Sequence, residues 1–308
     1  MLTSFFSKSK PVNFLVVVLF MTMFYLLANV SSLFSSFDIA KFGVKLGIFL
    51  CFLLNVIILN FIGKKNDLSK YSSYKIVIFA VLAVSFSEIL RDNQVIVANL
   101  CVLLSLRRVI TLRSQKDIQK KIFDATFWVC VASLFNFWAI LFLIVVYSGV
   151  LMHTANYFKN WLIPLVAIFT VSSLVTGYHL LINNEFYTLS AWFQQSNFDF
   201  ELYGNIKLLL PLSIILALAL WTSFFYIGLM QKSNINSRPT YVLVLLTMLV
   251  ATLVGIFSPT KNGSELIFLF IPLAIITSNY FESKRERIFK EILLIGLILL
   301  PIYVYLFF

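Results

Sequence analysis

Residues 12–34 read VNFLVVVLFMTMFYLLANVSSLF, preceded by Lys8 and Lys10 and free of any charge. A bilayer core of roughly 30 Å is crossed by about 20 helical residues. Only a helix satisfies the backbone there, because no water is present to do so. Outward from this stretch the pattern repeats at residues 44–63, 160–183, 206–230, 239–258, 264–281 and 292–308, with shorter apolar runs at 76–90, 94–106, 122–135 and 137–151. A composition that is 60% hydrophobic and 12% charged lies far from that of soluble domains. The chain reads as an all-α polytopic integral membrane protein with about eleven membrane-crossing helices.

Of the 24 Lys and Arg residues, only Lys41, Lys45, Arg91, Lys207 and Lys261 fall outside one alternating set of loops and helix ends. Basic residues are retained on the cytoplasmic side, so the N-terminus is expected in the cytoplasm and Phe308 in the periplasm, in a bacterial inner membrane. The first run is too long for a signal-peptide core and lacks a small-residue cleavage site, so it is expected to stay as an anchor. The net charge of +11 is then a topology signal toward an anionic leaflet, with no nucleic acid as partner. No loop is long enough to fold alone, so residues 1–308 are expected to form a single membrane domain. Cys51, Cys101 and Cys130 fall in membrane runs at no metal-ligand spacing, and no metal or cofactor is identified.

Two pairs of short runs predict helical hairpins at about 76–106 and 122–151. Residues 76–90 make roughly 22 Å of helix before the polar tip Arg91, Asp92, Asn93. The second hairpin turns at Asn136. Tips that stop below the outer surface would leave a recess, which irregular backbone at that depth requires. The alternative is local thinning of the bilayer, or helices that start earlier, inside the basic loops.

Glu88, Arg91 and Asp92 place three ionisable groups within five residues at the end of an apolar helix, and such groups at depth are usually functional. One reading makes Glu88 a catalytic base or sugar ligand and Arg91 and Asp92 its binding partners for phosphate or sugar, guanidinium being suited to phosphate. The other makes the three a self-neutralised turn. Asn99 and Asn136 either line the same recess or hydrogen-bond between helices. Asp38, in the first outer loop, is a second candidate acid or an ordinary surface residue. Residues 184–205 carry Phe186, Tyr187, Trp192, Phe193, Phe198 and Phe200 and read as a periplasmic aromatic interfacial segment that roofs the recess, grips lipid or simply anchors. Lys261 and Glu265, on an outer loop, either contact an anionic group or form a solvated pair, the second being the default.

Three stretches together, Ser4–Phe14 (SFFSKSKPVNF), Leu104–Phe135 (LSLRRVITLRS, KKIFDATFW, VASLF) and Ser264–Glu282 (SELIFLFIPLAIITSNYFE), resemble an uncharacterised inner-membrane family of Bacteroidota, a domain of unknown function. The likeness spans nearly the whole chain. More distantly, the short hairpins and basic inner loop resemble the membrane core of polyprenyl-phosphate-dependent glycosyltransferases, though the first outer loop here is short and lacks an acidic pair. That likeness implies envelope glycoconjugate assembly on a polyprenyl-phosphate sugar, a lipid-linked glycan. The rival expectations are a noncatalytic subunit that joins other inner-membrane proteins in a secretion or insertion complex, and a carrier for a small or lipid solute.

Overall fold

The computed structural model describes residues 2–34, 39–66, 68–69, 72–155, 157–283 and 286–307. Asp38 lies outside them. The described helices are, in chain order, α1 (Leu2–Phe6), α2 (Pro11–Phe34), α3 (Ile39–Lys65), α4 (Tyr74–Val84), α5 (Ser87–Arg91), α6 (Asn93–Ile110), α7 (Ile118–Phe135), α8 (Leu143–Thr154), α9 (Phe158–Asn183), α10 (Leu189–Trp192), α11 (Ile206–Lys232), α12 (Arg238–Phe257), α13 (Ile267–Phe281) and α14 (Arg287–Phe307). Short 3-10 turns fill Thr111–Ser114, Phe137–Phe142, Glu201–Gly204 and Ser264–Leu266. Among the described residues there is no strand, and nine helical stretches are long and apolar enough to cross a membrane.

Side-chain bonds show that consecutive long helices run up and down. At one end Tyr74 donates to the Thr3 carbonyl, Asn279 to the Leu68 carbonyl and Gln115 to the His153 carbonyl. At the other Lys45 donates to Asn93, Trp192 to the Ser133 carbonyl and Tyr203 to Glu265. The first set marks the basic end, where Lys64, Lys65, Arg107, Arg108 and Lys121 all lie; the second marks the far end.

α4 and α13 form the centre. Every residue of α4 is buried, and 89% of the apolar window of residues 264–281 is buried, against 11% for α9. Helices apolar all round must be covered on all sides or face lipid; α4 and α13 take the first course and α9 the second. α8 approaches α6 closely at Gly149, where an added Cβ would stand 2.5 Å from the Val109 side chain.

Two of the hairpin helices, α6 and α7, extend past their apolar runs. α6 and α7 have 18 residues each, about 27 Å of helix, and the second hairpin returns through the 3-10 turn into α8 and on to Thr154. This corrects the expected ends at 106, 122 and 151. Apolarity stops at the first charge, but Arg107, Arg108, Lys120 and Lys121 carry long stems that stay along the helix while their heads reach water. α4 remains short, at 11 residues. It ends where the Ser85 hydroxyl bonds back to the Val81 carbonyl at 2.7 Å and Phe86 turns extended.

Candidate functional site

The first hairpin tip is built from α5 and the start of α6. Asp92 caps α6, its Oδ1 accepting from the Gln94 and Val95 amides at 3.0 and 3.1 Å, as an N-cap carboxylate does. Arg91 pairs with Glu88 at 3.1 Å, the two side chains being 55% and 36% exposed. Arg91 Nε also donates to the Ala28 carbonyl at 3.2 Å, and Lys45 Nζ to Asn93 Oδ1 at 3.0 Å. Ala28 lies six residues before the end of α2 and Lys45 six after the start of α3. The tip is therefore tied to the last two turns of α2 and the first two of α3. Both carboxylates there are engaged, Glu88 by a guanidinium and Asp92 by a helix N-terminus.

Asn99 is away from this tip. Fully buried in α6, it donates to Asn55 Oδ1 on α3 at 3.0 Å, an interhelical bond of the kind that holds membrane helices together. Asn55 was not singled out in the sequence, where it is one of two amides, with Asn60, in the run 44–63.

Asn136 sits at the second tip, 5% exposed, with Oδ1 buried and lacking a partner. The segment 184–205 lies across it. Trp192 Nε1 donates to the Ser133 carbonyl at 2.9 Å, and the rings of Trp192 and Phe193 meet Phe137 with centroids 4.8 and 5.0 Å apart. Further along, Phe198 meets Phe257 at 6.0 Å, Lys261 Nζ stands 5.0 Å over the Phe200 ring, and Tyr203 donates to Glu265 Oε1 at 2.6 Å.

Beneath this aromatic cover, Trp138 stacks on Phe257 at 5.0 Å. Its Nε1 and the hydroxyl of Ser258, the next residue along from Phe257, are also buried without partners. With Asn136 Oδ1 they are three of the ten buried side-chain nitrogen and oxygen atoms without a partner among the described residues, departures from the rule that buried polar groups are satisfied.

Lys261 and Glu265 are not a solvated pair, being 3% and 1% exposed. Lys261 donates to the Gly255 and Ile256 carbonyls at 2.6 Å each, closing the C-terminus of α12. Burial lowers the Lys261 pKa, with Glu265 acting against it, and burial, then Glu265, raises that of Tyr203. Gly263, at φ +91°, lets this loop pack on Phe86. Sequence reading missed the burial because a loop rich in polar residues reads as solvent-facing.

At the basic end, Lys65, Arg107, Arg108, Arg113 and Lys121 line a cleft of about 420 Å³. In the sequence these residues served only to orient the chain.

The chain matches the model of the Family of unknown function (DUF6427) over residues 1–308. It belongs to that family. No curated protein and no solved structure matches it. Membership thus agrees with the expected uncharacterised family across the whole chain, and assigns no chemistry to either end.

Proposed function

We propose that the protein is an eleven-crossing inner-membrane protein, N-terminus cytoplasmic and C-terminus periplasmic, that binds a lipid-linked glycan at its far end under the 184–205 segment. α4 with α5, and α7, add the two crossings to the nine long apolar stretches; α7 carries Lys120, Lys121 and Asp124 in its first two turns. The basic end takes the cytoplasmic side because cations resist translocation.

The observation that carries the binding reading is the set of partnerless atoms, Asn136 Oδ1, Trp138 Nε1 and Ser258 Oγ, below Trp192, Phe193 and Phe198. A mostly aromatic lining with a few converging polar groups is the usual make-up of a small-molecule site. Here an acceptor, a donor and a hydroxyl suit a hydroxyl-rich ligand, and the rings suit the apolar face of a sugar. A polyprenyl-phosphate sugar belongs to this class. The reading is one of binding, with Glu88 Oε1 paired to Arg91 and Asp92 Oδ1 capping α6.

Protein extracted into lipid nanodiscs from its native membrane is expected to retain a sugar-bearing lipid by native mass spectrometry. Trp138→Phe, which removes the indole N–H along with part of the ring stacked on Phe257, and Ser258→Ala, which removes a hydroxyl, should cut that occupancy about thirtyfold together, two lost hydrogen bonds being worth about 1 kcal/mol each. Unchanged occupancy in the double variant, or no sugar-bearing lipid with the wild type, would contradict the reading.

A further inference from the structure

We propose that the cleft at the basic end, between α3, the α6 C-terminus and α7, is a binding site for a phosphate-bearing anion. It is separate from the glycan reading, which concerns the other end of the molecule.

Three chain segments bring cations to it. Lys65 comes from the last turn of α3, Arg107 and Arg108 from the last turn of α6, Arg113 from the 3-10 turn that follows, and Lys121 from the first turns of α7. Arg107 and Lys65 both stand over the Phe61 ring, at 4.7 and 5.2 Å from its centroid. Lys121 Nζ is held by the Thr111 carbonyl at 3.0 Å and by Ser114 Oγ at 2.6 Å. Arg108 pairs with Asp124 at 2.9 Å, and Asp117 stands 3.8 Å from Lys120.

Arg107, Arg108 and Lys121 are half-buried, and among the described residues Asp124 is the carboxylate within ion-pair distance of any of the five cleft cations. Like charges crowded into a half-buried cleft repel one another, and an anion seated among them relieves that repulsion. Scattered interfacial lysines would not need this arrangement; a single cleft that fixes its cations on an aromatic ring, a helix end and a hydroxyl holds them ready. Arginine supplies forked donors that match phosphate oxygens, and three of the five are arginine. The phosphate belongs either to a lipid headgroup at the membrane surface or to a soluble compound.

The test uses the full chain in nanodiscs of phosphatidylcholine. One arm adds phosphatidylglycerol and counts retained anionic lipid by native mass spectrometry; the other titrates inorganic phosphate and pyrophosphate in calorimetry. Lys65→Gln with Arg113→Gln, both at exposed positions, and Arg107→Gln alone should each weaken binding about tenfold or more in whichever arm responds, two charge-assisted contacts supplying about that much. Lys8→Gln with Lys232→Gln removes the same charge from the same end outside the cleft and should leave binding within about twofold. A response to phosphatidylglycerol alone assigns the phosphate to lipid, and a response to free phosphate that competes with lipid assigns it to a soluble ligand. Equal losses in the two double variants, or no response in either arm, would overturn the proposal.

Discussion

Gly263→Val is expected to lower stability by about 2–5 kcal/mol and to leave little folded protein after extraction. Two costs combine. The residue sits at φ +91°, where an L side chain costs roughly 1–2 kcal/mol and a β-branched one is least tolerated. An added Cβ would also stand 2.8 Å from the Phe86 ring and 3.3 Å from Leu208, and overpacking of this kind costs about 1–3 kcal/mol. Phe86 lies at the end of α4 and meets Phe270 of α13 at 5.8 Å, so displacing it disturbs the two central helices. Folded yield and thermal aggregation in mild detergent measure the effect, with Gly263→Ala intermediate. A valine variant as stable as the wild type would mean that the α12–α13 loop does not pack as described.

Tyr203→Phe is expected to loosen the aromatic cover while leaving the bundle intact. The phenol donates to a buried carboxyl at 2.6 Å, and Glu265 Oε2 is already taken by the Gly263 amide at 3.0 Å. Without Tyr203 one carboxyl oxygen is left buried and unpaired, at a cost of about 2 kcal/mol. That is roughly a thirtyfold increase in local opening. Hydrogen exchange followed by mass spectrometry should quicken across residues 189–204 and stay unchanged in α4 and α13. Uniform exchange across the chain, or none gained in the segment, would show that this bond does not hold the cover down.

Apolar runs revealed where helices exist, because hydrocarbon leaves the backbone no other choice. They did not reveal where helices end. Lys120 and Lys121 belong to α7 and Arg107 and Arg108 to α6, since a charge with a long stem tolerates the membrane edge. Nor did they reveal which helices lie inside: α9 is as apolar as α13, yet one faces outward and the other is enclosed. That choice depends on packing partners hundreds of residues apart, such as Ser72 with Glu282 or Thr3 with Glu291.

For the candidate site, the cluster Glu88, Arg91 and Asp92 was visible as charge amid apolar sequence, and Arg91 does pair with Glu88. Asn99 and Asn136 looked equivalent to each other in the sequence. The Asn99 Nδ2 found an amide across the helix interface, while each of the two keeps a buried Oδ1 without a partner, so the difference between them is set by the facing element and not by local sequence.

The proposed topology puts the polar tip at one membrane face and the cation-lined cleft at the other. Single cysteines at positions 91 and 113, in a background with Cys51, Cys101 and Cys130 replaced by alanine, test this with a membrane-impermeant maleimide on intact cells. Arg91→Cys is expected to label from outside, and Arg113→Cys only after the membrane is opened. Labelling of both from the same side, or of position 113 from outside, would contradict the arrangement.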